Sequence, residues 1–122
     1  MSRVIHFELP ADNPERAVEF YKKVFGWNFQ KWGGPEEYWL ASTGPDSQPG
    51  INGGILRRQH AGASTCNTIG VTSLDEAVAS VTKHGGKNVV PRMAIPGVGY
   101  LAYCLDTEGN VFGVLQPDQN AK

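Results

Sequence analysis

Cysteine, net charge and long apolar runs are all scarce in this chain. Its two cysteines, Cys66 and Cys104, lie in strand-like surroundings and make no spaced framework, so a reduced protein with two core thiols is expected. Eleven basic residues against twelve acidic ones leave a net charge of −1. No basic patch argues for nucleic acid or anionic lipid as a partner. No apolar run approaches the roughly 20 residues of a membrane-spanning helix. The start, MSRVIHF, has no apolar secretory core, and a cytoplasmic protein is expected from it. The fifteen glycines follow no phosphate-loop spacing, so nucleotide binding gains no support.

What is present is an ordinary globular composition, 40% hydrophobic and 19% charged, on a length of 122 residues that suits one domain over 1–122. The stretch VIHFELPADNPERAVEFY, residues 4–21, alternates as a strand to Leu9 and then reads as a capped helix. Asn13 before Pro14 gives the cap and first turn. Ala17, Phe20, Tyr21 and Val24 follow at helical spacing, and Gly26 is the expected stop. In the strand, His6 and Glu8 share one face while Ile5, Phe7 and Leu9 share the other. An imidazole and a carboxylate together on one face are candidates for a site.

The runs WNFQKW, EYWLAST and GINGGIL give three further strands, and the polar RRQHAGAS, residues 57–64, reads as a linker. The order then restarts. CNTIGV is a strand, Ser73 caps a helix with Glu76 three residues on, and Gly85-Gly86 ends it. KNVVPRMA, GYLAYCL and NVFGVLQ supply three more strands. An offset of 60 aligns Asn13 with Ser73, Ala17 with Ala77, Val18 with Val78, Gly26 with Gly86 and Gly53 with Gly113. Two modules of strand–helix–three strands, at 3–57 and 65–117, are expected to combine, because one alone buries only one face of its sheet. GGPEEYW, residues 33–39, and PRMAIPGVGY, residues 91–100, read as rim loops.

Two βαβββ modules in this length resemble the vicinal oxygen chelate superfamily of glyoxalases, extradiol dioxygenases and bleomycin-resistance proteins. IHFELPADNPERAVEFYKKVFGW resembles the family's opening pattern H-x-x-x-x-V-x-D-x-x-x-x-x-x-F-Y-x-x-x-L-G, with His6 lying 14 residues before Phe20-Tyr21. GVGYLAYCLDTEGNVFGVLQ resembles its closing D-P-x-G-N-x-x-E-L strand, with Thr107 where Pro is common. The resemblance implies an α+β fold whose curved mixed sheets surround a cup. It also implies, in metal-dependent members, four ligands in that cup.

Those four positions read here as His6, Gly53 (or Gly54 if the register slips by one), Cys66 and Gly113. Glycines offer no ligating side chain, so no metal and no other cofactor is expected, and this chain reads as a member lacking most ligand positions. The alternative is a divalent metal such as zinc held by His6, Glu8 and Cys66. His6 and Glu8 are the candidate catalytic residues. The candidate ligand-binding set adds Gly53, Cys66, Thr68 and Gly113, with Trp39 and Tyr103 as aromatic walls. The expected function is metal-free binding of an apolar or aromatic small molecule, by a homodimer. The alternative is an isomerase, lyase or dioxygenase using His6 as base or metal ligand.

Overall fold

The structure, a computed structural model, describes residues 2–34 and 36–122. Its elements run β1 (Arg3–Ala11), α1 (Pro14–Phe25), β2 (Asn28–Lys31), β3 (Tyr38–Ser42), β4 (Asn52–Arg57), β5 (Cys66–Gly70), α2 (Leu74–Lys83), β6 (Lys87–Ile95), β7 (Gly99–Leu105) and β8 (Val111–Pro117). The order βαβββ therefore occurs twice. The chain divides into two compact units, His6–Thr65 and Cys66–Lys122, the latter with residues 2–5.

In the first unit β1 runs parallel to β4, while β3 lies antiparallel to β4 and β2 antiparallel to β3. The Asn13 carboxamide oxygen accepts from the Arg16 amide at 3.1 Å and Pro14 opens α1. Gly26 closes it in the left-handed region, at φ 73°, where its lack of a side chain removes the steric penalty. α1 packs on β2, β3 and β4, and Val18, Ala41 and the fully enclosed Ile55 are buried in this unit. Trp27 anchors this layer. Its ring stacks on Tyr21 at 4.8 Å and also meets Phe7, Phe25 and Phe29. Much of the aromatic richness of the sequence is thus spent on holding α1 to its sheet.

The second unit repeats the plan, with β5 parallel to β8, β7 antiparallel to β8 and β6 antiparallel to β7. Ser73 Oγ accepts from the Glu76 amide at 3.2 Å, and the Gln116 carboxamide oxygen accepts from the Leu74 amide at 2.9 Å. α2 covers a core of Val71, Leu74, Ala102, Cys104 and Val114. Cys66 and Cys104 are both buried.

The stretch 91–100 is not a rim loop. β6 continues through Pro91 to Ile95, and β7 begins at Gly99. Proline is tolerated because β6 lies at the edge of this unit's sheet, and its register shifts on either side of Val90. The expected loop at 33–39 gives way to β3 at Tyr38, and its Pro35 lies outside the described residues.

Candidate functional site

Strand parity builds the site. β1 puts His6 and Glu8 on the sheet face opposite Phe7, and the parallel pairing sets Glu8 beside Gly54 on β4. Leu40 of β3 faces Gly54 from the other side, and Tyr38, two residues away, shares its face. Gly54 has no side chain, and a Cβ built there would land on the Tyr38 phenol. The phenol therefore fills the space that a side chain at position 54 would need. Its hydroxyl donates to Glu8 Oε2 at 3.0 Å and meets His6 Nε2 at 2.8 Å. The Trp32 ring stands edge-on to Tyr38 at 6.3 Å, and the Trp32 amide donates to the Tyr38 carbonyl at 2.8 Å. One imidazole, one phenol and one carboxylate are thus linked in a row beside an indole.

His6 is half-buried, and desolvation holds its pKa below the ordinary histidine value of 6.5, partly opposed by the nearby Glu8 charge. The unfolded chain protonates this histidine near 6.5 while the folded chain resists until lower pH, so in that window the unfolded state binds more protons. The stability that His6 contributes is full above 6.5 and is lost as pH falls through the folded value. Urea denaturation from pH 7 down to about pH 5 should show wild-type stability declining, with a shallower decline in His6→Gln. A slope unchanged by that substitution would remove His6 as its source.

Of the two glycines the sequence offered for this position, Gly53 lies on the other face. It pairs with Phe7 and packs against that ring under α1, so Gly54 takes the place beside Glu8. Trp39 is also on that other face, since it pairs with Ile55. Its ring lies 5.6 Å from Lys31 Nζ. Its indole N–H is the sealed side-chain polar atom without a partner among the described residues. Both corrections have one cause. A one-residue shift of register moves a side chain from one face of a strand to the other.

In the second unit Thr68 and Tyr103 both face Gly113, on the sheet face away from α2. A Cβ on Gly113 would stand 3.0 Å from Thr68 Oγ1 and 3.4 Å from the Tyr103 ring. Thr68 is almost fully enclosed, at 4% exposure. Cys66 shares the strand parity of Thr68, and its thiol donates to the Asn67 carbonyl at 3.7 Å. The residues expected for the second half of the site thus share one face, with both Cys66 and Thr68 buried. Tyr38 and Trp32 were absent from the expected set. Tyr38 pairs with Leu56, two residues along β4 from Gly54, and no local sequence signal marks it.

The donor set does not fit a resident hard divalent ion. The ligand position beside Glu8 is a glycine, His6 Nε2 is engaged by a phenol, and Gly113 again offers nothing. Among the described residues no three His, Cys, Asp or Glu side chains converge as ligands. Elsewhere on the first unit an open cleft of about 430 Å³ is lined by Gly26, Asn28, Ser42, Thr43, Gly44 and Pro45. A smaller one of about 140 Å³ adjoins it beside Asn52. Both are shallow loop surfaces and contain neither His6 nor Glu8.

Comparison with known proteins places this geometry. A family model described as bleomycin resistance protein-like N-terminal matches residues 3–44. A glyoxylase-like domain-containing protein of Didymella fabae is 31% identical over 114 residues, 88% of each chain. The chain belongs to the vicinal oxygen chelate superfamily, in its glyoxalase- and bleomycin-resistance-like part. A hypothetical protein of Bacillus halodurans C-125 superposes with a TM-score of 0.74 at 12% identity, covering 99% of this chain and 98% of that one. A methylmalonyl-CoA epimerase of Mycobacterium tuberculosis gives 0.70 at 14% identity, over 94% and 87%. That of Streptomyces coelicolor, with 2-nitronate-propionyl-CoA bound, gives 0.74 at 12%, over 100% and 99%. At such identities the likeness concerns the fold, which is α+β and glyoxalase-like.

Proposed function

We propose that this chain is a metal-free small-molecule binding protein of the glyoxalase and bleomycin-resistance type, fixing the polar end of an apolar or aromatic compound at His6 and Glu8. The observation that carries the reading is the Tyr38 hydroxyl, which occupies the space of a ligand at position 54 and bonds both polar side chains. A metal would have to break those bonds and would find no donor at position 54. Small-molecule sites combine a few placed polar groups with apolar and aromatic walls, and the Trp32–Tyr38 pair supplies such a wall. A second reading, an isomerase or lyase with His6 as general base, draws support from the lowered His6 pKa, because a neutral imidazole can accept a proton.

Elemental analysis of protein purified without chelator tests the metal-free reading. Zinc, nickel, iron and manganese should each fall far below one equivalent per chain. Near-stoichiometric metal that disappears in His6→Ala would overturn it. A thermal-shift screen of flat aromatic compounds then tests binding, since a ligand present at about 100 times its Kd stabilises by about 2.7 kcal/mol. Hits lost in His6→Ala are expected.

A further inference from the structure

We propose that Tyr38 fixes His6 as the tautomer protonated at Nε2, leaving Nδ1 as a lone-pair acceptor that selects flat ligands carrying an O–H or N–H donor over oxyanions and vicinal oxygen pairs. The inference rests on the small-molecule reading above and names the ligand class for it.

Counting protons carries the argument. A tyrosine hydroxyl has one proton to give, and Tyr38 gives it to Glu8 Oε2 at 3.0 Å, a carboxylate oxygen that can only accept. The 2.8 Å contact between Tyr38 Oη and His6 Nε2 then needs its proton from the imidazole. A neutral imidazole has one N–H, and that proton sits on Nε2. Nδ1 is left with its lone pair.

Nδ1 is also reachable. No hydrogen bond to it occurs among the described residues, and it is not among the side-chain polar atoms sealed away without a partner. Half-burial disfavours the charged form of the ring. The row imidazole N–H to phenol to carboxylate polarises each bond in turn and pushes electron density toward Nδ1. Glu8, two residues along the same strand face, adds a negative charge that disfavours anions. A flat body on the ligand is taken from the small-molecule reading on which this inference rests. A donor group on such a body satisfies Nδ1, whereas an oxygen acceptor leaves it unpaired.

The experiment uses full-length, ¹⁵N-labelled protein and three probes, phenol, anisole and benzoate. Long-range ¹H–¹⁵N correlation at neutral pH reads the His6 ring nitrogens, assigned by their loss in His6→Gln. The protonated nitrogen should be Nε2. Phenol should move the Nδ1 resonance and bind about tenfold more tightly than anisole or benzoate, the cost of leaving one buried acceptor unpaired. In Tyr38→Phe the second tautomer should appear and the preference for phenol should shrink toward none. A proton on Nδ1, an imidazolium at neutral pH, equal or tighter binding of anisole or benzoate, or no response to any probe would each overturn the inference. Its failure is separable from that of the metal-free reading. Stoichiometric metal in the untreated protein sinks the latter before any probe is added, whereas a metal-free protein with Nδ1 protonated sinks only the former.

Discussion

Gly54→Val should cost about 2.5–4 kcal/mol of stability, and most of that cost should vanish when Tyr38 is already alanine. The first number is the expected loss of a hydrogen bond to a charged carboxylate, about 1.5–3 kcal/mol, and of one to a neutral imidazole, about 1 kcal/mol. The valine Cβ falls on the phenol, so Tyr38 must swing away and abandon both. The backbone is no obstacle, because Gly54 is not among the residues of positive φ. In Tyr38→Ala the space is open and the bonds are already gone, so Gly54→Val should add little further cost. Urea denaturation of the two single variants and the double one closes the cycle. A coupling of about 2 kcal/mol or more is expected for side chains that compete for one space. Strict additivity would mean that Tyr38 does not occupy the room left by Gly54, and the metal-free reading would lose its main support.

Much of the architecture was legible because it depends on local chemistry. The Asn13 and Ser73 caps, the Gly26 stop and the alternation in β1 all act within a few residues, and each element appears where those signals set it. His6 and Glu8 share a face for the same local reason. The register of β4 was not legible. An offset of 60 equates Glu8 with Thr68 and Gly53 with Gly113, but the strands pair Glu8 with Gly54 and Thr68 with Gly113. The last strands of the two modules are therefore offset by 59, so the path from helix to last strand is one residue shorter in the second module. A change of one residue inverts every inward and outward assignment on a strand. Gly113 stayed on the expected face and Gly53 did not. Tyr38 was left out of the expected site for a different reason. It reaches across 32 residues to His6 and 30 to Glu8, and the strand ladders put Leu101 at its equivalent position in the second module, so no internal symmetry points to it. The stretch 91–100 carried two overlapping readings, a strand through Pro91 and a Gly- and Pro-containing rim loop, and the strand holds because an edge strand tolerates proline.

Gly53→Val tests that register directly and should be among the most damaging single substitutions in the first unit. A Cβ at position 53 would stand 2.5 Å from the Phe7 carbonyl oxygen and 2.6 Å from its ring. The ring could turn, but the carbonyl belongs to β1, to which β4 is hydrogen-bonded. Relief therefore requires β1 and β4 to separate locally, directly beside the enclosed Ile55. Overpacking of this kind costs about 3 kcal/mol or more, because no side chain alone can give way. For a chain of this size that corresponds to a fall in Tm of roughly 10 °C. Adding Phe7→Ala should not restore stability, since it removes the ring and leaves the carbonyl. That sets Gly53 apart from Gly54, whose obstacle is a removable phenol. If Gly53→Val instead melts like the wild type, or if Phe7→Ala rescues it, the pairing of Gly53 with Phe7 is wrong. Gly53 would then return to the face of His6 and Glu8, and Tyr38 would no longer have a vacated position to fill.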